Sequence, residues 1–410
     1  MPDGMESTVT QAGAMGGARS SPARTAFLFI LFIGIVSFFS DCTYEGSRSI
    51  IGPYLATLGA TATLIGIVTG AGELLGYSLR LVSGRLADST GRYWPIIFCG
   101  YVLQMAAVPA MALTRAWPAA AALIVLERVG KAIRNPSRDT LLSHAARHVG
   151  GYGWVFGFHE ALDQFGAMTG PLLVAAVLGL RHDYHDAFAV LALPAALNLS
   201  VLGFTRWRYP RPQDLDETAV AARPVGLPRV FWIYMGGAML VAAGFADYPL
   251  IAYHFVHTGT VTGSRVAVFY AVAMAVSGSG SLLFGRLFDR HGFVVLIGLT
   301  VLSALVAPLV FLGSFWVALL GAACWGLCMG VHESIIPAAV APMIASDRRA
   351  SAFGLFTAGY GVAWFLGSVA IGILYDHSIV AAILFCVVAE LAAVPVFVQV
   401  ARMRPAEAAT

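Results

Sequence analysis

Residues 84–92 read GRLADSTGR, and residues 285–293 read GRLFDRHGF. The two stretches share a glycine, an aspartate and a second glycine at a constant shift of 201 residues: Gly84, Asp88 and Gly91 match Gly285, Asp289 and Gly292. Pro136 and Pro337 keep the same shift. The repetition predicts that the chain contains one structural unit twice.

Composition places both copies in a membrane. The 410 residues are 58% hydrophobic and 11% charged, with a mean hydropathy of +0.77, which is too apolar for one soluble core. A membrane span needs roughly 20 apolar residues. Twelve such spans are expected, at residues 26–56, 62–83, 93–114, 118–145, 152–180, 187–205, 229–256, 264–284, 293–313, 315–343, 351–375 and 379–401.

The polar segments divide the chain into a tail at 1–25, a six-helix bundle at 26–205, a linker at 206–228, a second bundle at 229–402 and a tail at 403–410. The tail at 1–25 lacks an apolar stretch, so it is interpreted as disordered and cytoplasmic. Arginines concentrate in the loops on one side, and the other side holds only Arg115, Arg181 and Arg265. Both termini are therefore expected in the cytoplasm, in a multi-pass protein of the inner membrane. The net charge of +3 requires no nucleic-acid partner.

The loop after the second span carries a recognisable motif. Gly84, Asp88, Gly91 and Arg92 fit the G-x-x-x-D-x-x-G-R pattern, and the chain resembles the major facilitator superfamily over its whole folded length. The resemblance implies an all-α fold of twelve helices in two pseudo-symmetric bundles, and transport of a small molecule by alternating access. It also implies a monomer, in which this loop is a gating latch with Asp88 and Asp289 as its acids. A narrower similarity is to efflux permeases that include nickel and cobalt exporters.

Charged residues interrupt the first span in the stretch FSDCTYEGSR, residues 39–48. Asp41, Glu45 and Arg48 fall at i, i+4 and i+7, which puts them on one helical stripe near mid-membrane. Charges at that depth face protein or water, because contact with lipid costs several kcal/mol. The resemblance implies that spans 1, 4, 7 and 10 line a central cavity.

The fourth span carries a second stripe, Glu127, Lys131, Arg134 and Arg138. Two alternatives stand for Lys131 and Arg134: an internal ion-pair network with Asp41 or Glu45, or direct contact with substrate. The two roles are compatible if the network breaks and re-forms during gating.

The fifth span contains HEALD, residues 159–163, which is half of the H-E-x-x-H motif of metalloproteases. The second histidine is missing, so an enzyme is not expected. His159, Glu160 and Asp163 are instead candidate transport residues. The tenth span adds the pair His332 and Glu333.

The remaining candidates are Glu73, Asp247 and Tyr360. Near mid-depth the acids outnumber the bases, which predicts a site that holds protons or another cation. The leading hypothesis is proton-coupled export of a small cationic or amphipathic compound, with no cofactor and with the proton as the coupling ion. The first alternative is export of a divalent transition metal through His332, Glu333 and Asp41. A weaker alternative is transport of an organic anion on Lys131 and Arg134.

Overall fold

A computed structural model describes residues 22–146, 149, 152–210, 227–340, 343 and 349–407. The chain before residue 22 and most of the expected linker lie outside this range. The first half forms helices α1 (Pro22–Thr57), α2 (Ala62–Thr90), α3 (Tyr93–Ala110), α4 (Trp117–Ala146), α5 (Tyr152–Arg181), α6 (Tyr184–Val190) and α7 (Ala192–Arg208), with a 3₁₀ turn at Met111–Leu113.

The second half forms α8 (Arg229–Gly244), α9 (Tyr248–His257), α10 (Gly263–His291), α11 (Phe293–Ala304), α12 (Val306–Leu312), α13 (Phe315–Ala338), α14 (Arg349–His377) and α15 (Ile379–Glu407). These helices make twelve crossings. Eleven of them, in the described part of the chain, are long and apolar enough to span a membrane. The twelfth is α4. Its 30 residues extend about 45 Å, which is long enough to span a membrane, but its charged residues make it less apolar than the other eleven.

Three of the predicted spans are broken rather than continuous. The breaks fall at Leu191 between α6 and α7, at residues 245–247 between α8 and α9, and at Leu305 between α11 and α12. A proline follows each break: Pro194, Pro249 and Pro308. Proline has no N–H to donate to the carbonyl four residues earlier, and that carbonyl lies at or beside each break.

Helix pairing confirms the duplication. In the first half α1 packs on α5 and α7, and α2 packs on α4; in the second half α8 packs on α14 and α15, and α10 packs on α13. The turn glycines of the two motif copies, Gly91 and Gly292, both have a positive φ angle, of 62° and 61°. The fold is therefore the predicted pair of six-helix bundles.

The halves meet through α2 against α14, α5 against α10 and α1 against α9. An even number of crossings puts both chain ends on one face, here called the terminal end, and the other face is the opposite end. Near the opposite end, Gly52 of α1 packs directly on the backbone of Pro249. There the Asp376 carboxylate also accepts hydrogen bonds from the Ala62 and Thr63 amides of α2, at 3.1 and 2.8 Å. Direct contacts between the halves thus close this end.

Candidate functional site: a charged cavity between the halves

A small cavity of about 30 Å³ lies between the two halves. Four helices contribute side chains to it. The lining residues are Tyr44 and Arg48 from α1, Glu73, Gly76, Tyr77 and Arg80 from α2, Arg128 and Lys131 from α4, and Met329 and Glu333 from α13. Four of these side chains are basic and two are acidic, so the expected excess of acid is reversed in this cavity.

Arg48 connects the two halves across the cavity wall. One of its terminal nitrogens lies 3.4 Å from Glu73 on α2 and 3.4 Å from Asp247 of the second half. Asp247 occupies the break between α8 and α9 and also accepts a hydrogen bond from Ser368 at 3.3 Å. Trp325 holds the same break by donating to the Ala246 carbonyl at 2.8 Å. The break therefore places a carboxylate where it can pair with the opposite half.

The stripe on α4 forms a buried network, as one of the two alternatives for it predicted. Gln104 of α3 donates to Glu127 at 3.0 Å and accepts from Arg134 at 2.7 Å. Arg134 also bonds Ser40 at 2.8 Å and lies 4.0 Å from Asp41. Arg134 is fully buried and does not line the cavity, so its role is to join α1, α3 and α4.

Lys131 differs from Arg134. Its ammonium lies 3.8 Å from the centre of the Tyr44 ring, and the side chain lines the cavity. Arg80 faces the same space, 5.3 Å from the ring of Tyr77. Within the described part of the chain, neither Lys131 nor Arg80 has a carboxylate within 4.0 Å. Two cations therefore face the cavity without a paired acid.

Of the two acids considered as partners for Lys131 and Arg134, Asp41 lies near Arg134, whereas Glu45 has a partner in the other half. It accepts a hydrogen bond from Tyr270 of α10, in the other half. The stripe was identified correctly, but α1 lies against both halves, and its three charged residues have three different partners. Asp41 faces α4, Glu45 faces α10, and Arg48 faces α2 and Asp247.

The HEALD segment forms a second polar cluster in the first half. His159 bonds Ser37 at 2.7 Å and lies 3.3 Å from Asp163. Arg138 also donates to Ser37, at 3.1 Å. Glu160 is exposed and accepts from Gln164 at 2.9 Å. A buried histidine held between a hydroxyl and a carboxylate serves to pack α5 against α1.

The three residues of the predicted metal set are not brought together. His332 is buried and bonds Tyr360 at 2.7 Å, Glu333 lines the cavity, and Asp41 lies beside Arg134. Successive residues on a helix point about 100° apart, which separates His332 from Glu333. No group of three or more His, Cys, Asp or Glu side chains that could hold a metal occurs among the described residues.

The latch loop is described only in part. Gly91 ends α2 in the left-handed region, Gly84 packs on Pro136, and Arg92 is exposed. The side chains of Asp88 and Asp289 lie outside the described part of the structure, so their gating role stays a prediction.

Sequence reasoning missed several residues of the site. Arg80 and Arg128 were not counted, although Arg128 lies 3.0 Å from Glu73. Arg80 follows Glu73 by seven residues, so the i, i+7 rule used for α1 would have found it. Arg128 lies next to Glu127 and outside the stripe, and only the packing of α2 on α4 reveals its position. Tyr44 and Tyr77 carry no charge signal.

Two bundles of membrane helices, joined beside a polar cavity by the ion pair Arg48–Asp247 that crosses between them, define a membrane transporter. The profile of the Major Facilitator Superfamily matches residues 27–332 and 247–409, and the chain belongs to this family. An uncharacterized protein of Mycobacterium tuberculosis (strain ATCC 25618 / H37Rv) is 42% identical over 379 residues, covering 91% of this chain and 92% of the relative. An uncharacterized MFS-type transporter of Methanocaldococcus jannaschii is 24% identical over 360 residues, covering 85% of this chain and 89% of the relative.

Solved structures with the same fold are transporters. The nucleoside transporter NupG aligns with a TM-score of 0.69 at 14% identity, covering 92% of this chain and 98% of that one. A POT family transporter in complex with a thioalcohol-conjugated peptide aligns with a TM-score of 0.71 at 12% identity, covering 92% and 96%. At these identities the likeness concerns the fold alone.

Proposed function

We propose that this transporter carries a small organic anion, or a zwitterion with an exposed anionic group, by alternating access through the cavity between its halves. The single observation that carries the proposal is the charge of the cavity. Four basic and two acidic side chains line it, and Lys131 and Arg80 are the two bases without a nearby carboxylate in the described part of the chain.

Of the two acids of the cavity, Glu73 is already neutralised by its neighbours. Glu73 lies 3.4 Å from Arg48 and 3.0 Å from Arg128, so it has no capacity left for a cationic substrate. A cationic substrate would have to displace an arginine or bind near Lys131. An anion between Lys131 and Arg80 would instead supply the missing counter-charge, and charge-assisted hydrogen bonds to such groups are among the stronger ones.

Two tyrosine rings complete the site. Tyr44 and Tyr77 line the cavity on the faces next to Lys131 and Arg80. Pockets for organic molecules combine apolar or aromatic walls with a few charged groups that fix orientation. The combination favours an organic anion with an apolar or ring portion over an inorganic ion.

Export of a cationic or amphipathic compound remains a second candidate. One observation favours it: Glu333 lines the cavity with no basic side chain within 4.0 Å among the described residues, and its side chain is exposed. A cation held by Glu333 would lie in the same cavity as Lys131, whose positive charge would repel it. We retain the proton gradient as the proposed driving force for either substrate, and the cytoplasmic location of both termini as part of the proposal.

A ligand screen by thermal stability tests the substrate class. The purified protein is heated with a panel of small organic anions, zwitterions and cations matched in size. We expect stabilisation by members of the anionic set. The effect should be lost in Lys131→Gln and retained in part by Lys131→Arg, while Arg115→Gln, an exposed loop change, serves as the control. Stabilisation by cations alone, unaffected by Lys131→Gln and abolished by Glu333→Gln, would favour the second candidate.

A further inference from the structure

Glu390 is a buried carboxyl group with no nearby counter-charge among the described residues. It lies on α15, is 1% exposed, and does not line the cavity between the halves. Ser303 of α11 donates to its Oε1 at 2.7 Å, while its Oε2 is buried without a hydrogen-bond partner. No basic side chain of the described residues lies within 4.0 Å of it.

This buried environment favours the neutral form of the Glu390 carboxyl group over the ionised form. An ionised carboxylate with one neutral hydrogen bond, inside a helix bundle in a bilayer, loses most of its hydration and gains little in return. The neutral acid has no such cost and carries an O–H that Oε2 can present to a neighbour or a water. Glu73, in contrast, has two arginine partners.

Several polar side chains lie among apolar ones in the region between Glu390 and the central cavity. A small cavity inside the second half is lined by Thr300, Ser303, Cys328 and His332. His332 bonds Tyr360 at 2.7 Å, and the Tyr360 ring contacts Tyr77 with centroids 5.9 Å apart. Tyr77 lines the substrate cavity. Hydroxyl and imidazole groups can each accept and donate a proton, and the hydrogen-bonded pairs of this region are Ser303 with Glu390 and Tyr360 with His332.

Glu390 also touches the segment that carries the inter-half ion pair. Gly244, the last residue of α8, approaches so closely that a Cβ there would lie 2.9 Å from Glu390 Cγ. The break that contains Asp247 begins at the next residue, where the ring of Phe245 lies 4.2 Å from that of His332. A change of charge on Glu390 would therefore act directly on the backbone that positions Asp247 against Arg48.

We infer that Glu390 is a proton-binding site of the second half, adjacent to the segment that positions Asp247 against Arg48. Its proton is held in the conformation described here and released when the break between α8 and α9 moves. The groups that face it from its packing partners are Ser303 on α11, Cys328 on α13, Tyr360 on α14 and Cys386 on α15 itself. None of these carries a fixed positive charge. The role of Glu390 in proton coupling rests on the proposed transport function.

Infrared spectroscopy of the purified protein tests the bound proton directly. At neutral pH we expect the C=O stretching band of a protonated carboxylic acid, shifted in D₂O, to be lost in Glu390→Gln. Ser303→Ala, which removes one hydrogen bond and leaves the acid in place, should move the band without abolishing it. Asp183→Asn, at an exposed carboxylate, is the control. A band of equal intensity in wild type and Glu390→Gln would overturn the inference. If Glu390→Gln does not fold, an unshifted band in Ser303→Ala overturns it as well.

The coupling role has a separate readout. The distance between spin labels on α1 and α9 at the opposite end is measured as a function of pH, and Glu390→Gln should abolish the pH response of its distribution. A response that survives in Glu390→Gln would exclude Glu390 as the coupling site. Neither measurement uses a substrate, so failure of organic-anion binding would contradict the proposed function and leave this site standing.

Discussion

Replacing Asp247 by asparagine tests whether the ion pair across the halves holds the opposite end closed. The pair is buried, with side-chain exposures of 3% for Arg48 and 2% for Asp247, and its N–O distance is 3.4 Å. Removing one partner of a buried pair can cost about 3–5 kcal/mol when it strands the other charge. Arg48 is not stranded here, because Glu73 lies at the same distance.

The expected loss is therefore smaller. A hydrogen bond to a charged group contributes about 1.5–3 kcal/mol, and 3.4 Å is long for a charge-assisted bond, so we take the lower end. About 1.5 kcal/mol corresponds to roughly a tenfold change in an equilibrium constant. Since the contact exists only while the two halves meet at this end, Asp247→Asn should shift the population about tenfold toward the open state.

Distance measurement between spin labels reports this shift. Labels at Thr57→Cys and Thr258→Cys lie at the ends of α1 and α9, in a background with the five native cysteines replaced. Asp186→Asn, an exposed acid at the same end, is the control. The effects of Asp247→Asn and Arg48→Gln should be non-additive by more than about 0.5 kcal/mol. Additive effects, or a wild-type distribution in Asp247→Asn, would refute the reasoning.

Three further expectations concern closure, packing and topology. Asp376→Ala removes the acceptor for two α2 amides and should favour the open state by about 1 kcal/mol, read with the same labels; an unchanged distribution would count against it. Gly130→Ala would push a methyl group to 2.7 Å from the Gly100 carbonyl and should destabilise the protein by about 1–3 kcal/mol. Gly179→Ala, where the space is open, should leave the melting temperature unchanged, and equal melting of the two variants would exclude the packing argument. Arg115→Cys should react only with reagents on the face opposite the chain ends, and labelling from the other face would overturn the topology.

The fold was predictable because its signals are local and repeated. Apolar length defines the crossings, and the paired motifs at residues 84 and 285 define the duplication. The breaks were not predicted, although Pro194, Pro249 and Pro308 were visible. Proline also occurs inside unbroken helices here, such as Pro53 in α1 and Pro171 in α5, so the residue alone does not decide whether a helix breaks.

The site was predictable as a set of charged side chains, but their pairing was not. Helical spacing correctly put Asp41, Glu45 and Arg48 on one stripe, yet their partners depend on how α1 lies between two bundles. The excess of basic residues in the cavity was not predicted for the same reason. Arg128 reaches Glu73 only because α2 packs on α4. Glu390 escaped notice because a single acid in an apolar span has no pattern around it.

Flux into proteoliposomes tests the central claim most directly. The organic anion that stabilises the purified protein best is supplied outside vesicles with an imposed pH gradient, and its uptake is measured per folded molecule. The account predicts saturable flux in wild type, loss in Lys131→Gln, partial recovery in Lys131→Arg and no change in Arg115→Gln. Equal flux in wild type and Lys131→Gln, or flux of cations alone, would contradict it.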